Sequence, residues 1–184
     1  YDSTEEEAQL PAPVSDEIAD QIIKKIAGAK RPVIYTGGGI RLSGGFPAFR
    51  KAVERLGVPV VTYWNSVDLI EDDNPLYCGR GGNMGDRAGN FAVQNSDLLL
   101  AVGTRLSIRQ VGYNWKTWAR EAKVVMVDID PAEMKKPTIH VDMPVHADAK
   151  DFFEALLRRT EKNSAENPVS LREDWREQCR LWKE

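Results

Sequence analysis

Two runs of consecutive apolar residues, Asp97-Leu-Leu-Leu-Ala-Val102 and Ala122 to Ile129, most constrain what this chain can fold into. Neither run alternates between apolar and polar residues, so neither suits a strand with one face in water. Each is expected as a parallel strand covered on both faces. Pro32 to Thr36 and Val58 to Thr62 are further strands, and Thr138 to Asp142 and Val145 to Ala147 are short candidates. Helical patterns lie between them. Ser15 is placed to cap a helix carrying Ile18, Ile22, Ile23 and Ile26 and ending near Gly28. Phe46, Phe49, Val53 and Leu56 mark a second helix, Gly85 to Asn95 a third, and Asp148 precedes a fourth with Phe152, Phe153, Leu156 and Leu157. The stretch from Tyr63 to Met84 reads as one long irregular loop, a length usually associated with function or poor order. Gly103 to Arg120 is another. This alternation predicts a doubly wound, mainly parallel α/β sheet of about six strands flanked by helices. In such a sheet ligands sit at the carboxyl ends of the strands.

Composition narrows the class. A chain of 184 residues that is 42% hydrophobic can build one sizeable core. No apolar run approaches the roughly 20 residues needed to span a bilayer. The net charge of -3, with signs intermixed, argues against a nucleic-acid binder. Cys78 and Cys179 fit neither a disulfide framework nor a four-ligand zinc site, so a reducing, cytoplasmic setting is expected. The chain begins at Tyr1 without an initiator Met or a signal-type segment, which suggests processing or a piece of a longer protein. Residues 1–14, acidic and then proline-rich, read as a linker, and 15–160 as the domain. Residues 161–184 form a polar break followed by a helix striped with Leu171, Trp175, Cys179 and Trp182. That stripe either packs on this or a neighbouring domain or meets a domain that is missing here.

Gly37-Gly38-Gly39 follows a buried strand and leads toward a helix, so its backbone N–H groups can approach a phosphate without Cβ obstruction. The spacing is not GxGxxG, and a tight strand-to-helix turn explains the glycines equally well. Gly82, within Gly81 to Gly85, and Gly103 should reach the same crevice. Arg105 and Arg109 are placed to contact a phosphate, or alternatively to form surface ion pairs. Asp128 and Asp130 are placed to accept from ribose hydroxyls, although Asp130 also suits a cap on the turn at Pro131. His140 and His146 lack any partner at recognisable spacing and read as structural. No triad, nucleophile elbow or HExxH motif occurs, so no catalytic or metal-ligating residue is assigned.

Arg31-Pro-Val-Ile-Tyr-Thr-Gly-Gly-Gly39, Gly57 to Thr62, Asn74 to Gly79, Asp97 to Arg105, Val127 to Glu133 and Val145 to Asp148 together carry a resemblance. In this order they resemble the central domain of thiamine diphosphate-dependent enzymes, and most nearly acetolactate synthases. The resemblance implies a parent that decarboxylates a 2-oxo acid such as pyruvate and joins the product to a second carbonyl. It places thiamine diphosphate and Mg2+ in flanking pyrimidine- and pyrophosphate-binding domains, in a homodimer or homotetramer, and implies that this chain is inactive alone. It also implies FAD contacts at Gly38, Gly39, Arg105, Arg109, Asp128, Asp130 and Asp148. The family's Arg-Phe-Asp-Asp-Arg is here Arg105-Leu-Ser-Ile-Arg109, and its His before Gly-Thr is replaced by Met84. Both arginines are kept and the acidic pair is not. Other members keep this domain without FAD, so flavin binding is left open.

Further classes share the topology. A sirtuin-like NAD-dependent enzyme is disfavoured by the lack of paired zinc cysteines and of its Asn-x-Asp and His-Gly signatures. A non-catalytic flavin or nucleotide carrier is a second such class, and a purely structural spacer domain is a third.

Overall fold

Apolar side chains point to both sides of every central strand, and the chain answers by placing helices on both. The computed structural model describes residues 10–162 and 173–184. Its elements in order are α1 (Asp16–Gly28), β1 (Pro32–Thr36), α2 (Gly39–Leu42), α3 (Phe46–Leu56), β2 (Val60–Thr62), β3 (Tyr77–Arg80) and α4 (Arg87–Asn95). There follow β4 (Leu98–Val102), α5 (Ile108–Val111), β5 (Lys123–Asp128), β6 (Met143–His146), α6 (Ala149–Lys162) and α7 (Glu173–Lys183).

All six strands pair in parallel in the order β3-β2-β1-β4-β5-β6. The order reverses between β1 and β4, which makes that junction the topological switch point. Alternate residues of each strand feed two separate cores. Ile34, Leu98, Leu100, Val125 and Val127 pack with Ile22, Ile26, Phe49, Phe152 and Phe153 of α1, α3 and α6. Val33, Tyr35, Leu99, Ala101 and Met126 pack on the other face with Ala92, Val93, Trp175 and Cys179 of α4 and α7.

Local chemistry fixes the helix ends. The Ser15 hydroxyl accepts from the Ile18 N–H at 3.3 Å, and Asp16 and Glu17 sit in the first turn of α1. Asp86 caps α4 by accepting from the Gly89 N–H at 2.9 Å. Asp148 caps α6, its Oδ1 accepting from Lys150 at 2.8 Å and Asp151 at 3.3 Å.

Two expectations change, and one alternative left open by the sequence is resolved. The segment Tyr63 to Met84 contains β3, a four-residue edge strand holding Gly79, so the expected loop is broken by a sixth strand. Thr138 to Asp142 is not a strand. It runs half-exposed beside the start of β5, where the Asp142 N–H donates to the Val124 carbonyl and Asp142 Oδ2 accepts from the Val124 N–H. The tail stripe packs on this domain: Trp175 and Cys179 are buried, Trp182 is half-buried, and the Trp175 ring lies 5.6 Å from that of Trp182. Leu171 lies outside the described residues.

Candidate functional site

The switch point is built from two backbone turns in contact. After β1, the Gly37 N–H donates to the Val102 carbonyl at 3.1 Å, and the Gly39 N–H donates to the Gly103 carbonyl at 3.0 Å. A Cβ at Gly37 would lie 2.4 Å from the Gly103 carbonyl oxygen and 2.4 Å from Thr104 Cα. A Cβ at Gly39 would lie 2.8 Å from Gly103 Cα. These two glycines are therefore required by the approach of one turn to the other. Gly38 is different: its Cβ position meets only Asn65 Nδ2, at 3.6 Å, and so faces room.

The other expected residues gather around this pair. Gly82 is clamped by Asn90, whose Oδ1 accepts from the Gly82 N–H at 2.9 Å while its Nδ2 donates to the Gly82 carbonyl at 3.0 Å. The next amide, Asn83 N–H, donates to the Arg109 carbonyl at 2.9 Å, joining the loop after β3 to the loop after β4. The Gly103 N–H donates to the Val127 carbonyl at 3.0 Å, which brings in the end of β5. The loops after β1, β3, β4 and β5 thus form one rim.

Charge on this rim is unevenly committed. Arg105 sits at φ 58°, exposed, and its guanidinium pairs with Glu133 at 2.7 Å. Glu133 also pairs with Lys136 at 2.7 Å. Burial opposes ionisation of Glu133, but hydrogen bonds and charge from Lys136 and Arg105 outweigh it and hold the carboxyl below its usual range. Arg109 is exposed and forms no ion pair among the described residues. Asp128 is buried, and that burial pushes its carboxyl above the usual range despite N–H groups of Asp130 and Arg105 directed at it. Asp130 does cap the turn at Pro131, its Oδ1 accepting from the Ala132 N–H at 2.8 Å. Asp148 stands two residues past β6, beside Ala147, whose N–H donates to the Asp128 carbonyl. Among the described residues, only Oδ1 of Asp130 and of Asp148 is engaged.

Below the rim, Tyr35 of β1 is fully buried, which pushes its hydroxyl's ionisation up. That hydroxyl faces the Gln110 side chain outside regular hydrogen-bond geometry. Gln110 is held between the Thr104 hydroxyl and the Ser107 N–H. Sequence patterns alone do not single out Glu133, Asn90 or Gln110. For Glu133 the available signal is the opposite charge three residues on, at Lys136. His140 is exposed, 3.7 Å from Asp142, whereas His146, opposite Asp128 in the sheet, lies with its Nε2 2.9 Å from the Ile129 carbonyl at the edge of the rim.

The model of the thiamine pyrophosphate enzyme central domain matches residues 19–156, which span the whole sheet and the rim. This chain belongs to that family. Among similar proteins, the probable acetolactate synthase large subunit of Methanococcus aeolicus is 39% identical over 149 residues, covering 79% of this chain and 24% of that protein. The acetolactate synthase large subunit of Corynebacterium glutamicum is 37% identical over 147 residues, 80% of this chain and 23% of its own length. Acetolactate synthase 1, chloroplastic, of Zea mays is 40% identical over 160 residues, 85% and 25% respectively. The chain thus spans about a quarter of the length of these curated relatives. As a thiamine pyrophosphate enzyme central domain it has the expected six-stranded, open parallel sheet, and neither a flavin carrier nor a sirtuin-like enzyme is favoured. No helix among the described residues is long and apolar enough to cross a membrane.

Proposed function

We propose that this chain is the central domain of a larger thiamine diphosphate-dependent carboligase of the acetolactate synthase type, acting on a 2-oxo acid such as pyruvate. The observation that carries this is the 37–40% identity to acetolactate synthases, sustained across about four-fifths of the chain. When bound, thiamine diphosphate supplies an electron sink for decarboxylation of the 2-oxo acid. Its site, with Mg2+, is assigned to flanking pyrimidine- and pyrophosphate-binding domains, within a cytoplasmic homodimer or homotetramer. The central domain's own residues then bind and orient rather than react.

The rim fits a flavin dinucleotide in part. Gly38 offers a surface free of Cβ, and Arg109 offers a guanidinium with no carboxylate among the described residues to release. Arg105 must share its guanidinium with Glu133, whereas Asp130 and Asp148 each keep one oxygen for a hydroxyl. On this reading Gly38, Gly82, Arg105, Arg109, Asp130 and Asp148 hold FAD, while Gly37, Gly39, Gly103 and Asp128 shape the turns beneath it.

The test is to assay the gene-length protein for acetolactate formation from pyruvate with thiamine diphosphate and Mg2+. The expected result is cofactor-dependent product from the gene-length protein and none from residues 1–184. Product from residues 1–184 alone, or a gene-length protein that binds thiamine diphosphate yet turns over no 2-oxo acid, would overturn the proposal.

A further inference from the structure

The chain's two cysteines, remote in sequence, meet in space. Cys78 is the second residue of the edge strand β3, and Cys179 lies on the inner face of α7. Both are buried among the same apolar side chains where α7 packs on β3, and Cys179 is the neighbour that most raises the Cys78 thiol. The Cys78 sulfur also lies 3.9 Å from the Leu76 carbonyl.

Contacts on either side fix this meeting. The Lys183 ammonium lies 5.0 Å over the Tyr77 ring, one residue before Cys78. Trp182 packs edge-on against Phe91 of α4 with centroids 5.6 Å apart. The Trp175 indole N–H donates to the Pro32 carbonyl. These contacts hold α7 on the sheet beside β3.

We propose that Cys78 and Cys179 are a disulfide-forming pair whose oxidation staples α7 to the edge of the sheet. The oxidant is a small-molecule disulfide. One protein thiol gives up its proton, and the thiolate attacks a sulfur of that disulfide, releasing one small thiol and leaving a mixed disulfide. The second protein thiolate then displaces the remaining small thiol. Two protein thiols are oxidised, one small disulfide is reduced, and both protons leave on the two released thiols. The neighbouring Cys179 side chain and burial both push the Cys78 thiol up, so Cys78 stays protonated while α7 is docked. Oxidation must await a local opening of the helix, after which closure places the second sulfur at the first. Two buried thiols acting only as small apolar groups would show none of this chemistry.

The experiment incubates the chain with glutathione disulfide, with and without urea below the unfolding midpoint. The expected outcome is loss of both thiols without retained glutathione, and a peptide joining residues of β3 and α7 under non-reducing conditions. The Tm should rise by about 5–15 °C, reversibly with dithiothreitol, because the closed loop is long. Cys78→Ser or Cys179→Ser should each abolish the cross-link and leave the remaining thiol as a glutathione adduct. Retention of both thiols in both conditions, separate adducts on the two cysteines, or intermolecular dimers would overturn the proposal.

Discussion

The Trp175 indole N–H donates to the Pro32 carbonyl across 3.0 Å, so the last helix is tied to the first residue of the central strand. Trp175 is buried where it makes this bond. Trp175→Phe, which keeps an aromatic ring and removes the donor, should cost about 1–3 kcal/mol. Trp175→Ala should cost about 3–5 kcal/mol. Urea unfolding checks both, and equal stability of Trp175→Phe and wild type would show that the bond contributes nothing.

Two glycine substitutions should act in opposite directions. Gly28 closes α1 with open space at its Cβ position, so Gly28→Ala should stabilise by roughly 0.4–1 kcal/mol. Gly37→Ala forces a methyl into the Gly103 carbonyl and should destabilise by more than that. Thermal melts of the two variants side by side decide it, with Gly28→Ala melting above wild type and Gly37→Ala below.

Acid and neutral conditions should separate Asp128 from Glu133. Burial raises the Asp128 carboxyl above its usual range, so the folded state holds that proton more tightly, and stability falls as pH rises through the carboxylate range. Asp128→Asn keeps an acceptor for the Asp130 N–H and removes the charge. It should be more stable than wild type at neutral pH, with the difference vanishing below about pH 3.9. Glu133 has the opposite sign. Its depressed carboxyl contributes stability above its unfolded value of about 4.3, and this is lost as pH falls through the folded value. Glu133→Gln should therefore be less stable at neutral pH and converge on wild type in acid. Urea titrations across pH 3 to 7 would measure both.

Flavin affinity should depend more on Arg109 than on Arg105. A charge-assisted contact to phosphate is worth about 1.5–3 kcal/mol, or roughly 10- to 150-fold in affinity. Arg109→Ala should show that loss in the gene-length protein, while Arg105→Ala, already engaged by Glu133, should show less. Flavin fluorescence titration reads the order directly, and a larger loss at Arg105 would reverse it.

The sheet was legible where burial is complete. Leu98 to Val102 and Val124 to Val127 have no polar side chain to place, so their run is visible without knowing the neighbours. β3 was hidden because an edge strand of four residues, Tyr-Cys-Gly-Arg, needs no such run. The glycine rim was legible as a set, but its reason was not. Gly39 and Gly103 are demanded by each other's backbone, a relation between strands far apart in the chain. Pairing of Arg105 with Glu133 was equally out of reach, because a rim position says nothing of which charge has already been taken.

The pairing of β1 with β4 also sets a timetable for synthesis. Val33 lies opposite Leu99, 66 positions later. At about 5–20 residues per second, a ribosome delivers β4 roughly 3–13 s after β1. Throughout that interval β1, the strand destined for the middle of the sheet, has an open apolar edge on the side that β4 will take. A nascent chain stalled between residues 63 and 97 should therefore be the species most prone to chaperone capture, and the risk ends when Leu98 to Val102 closes that edge.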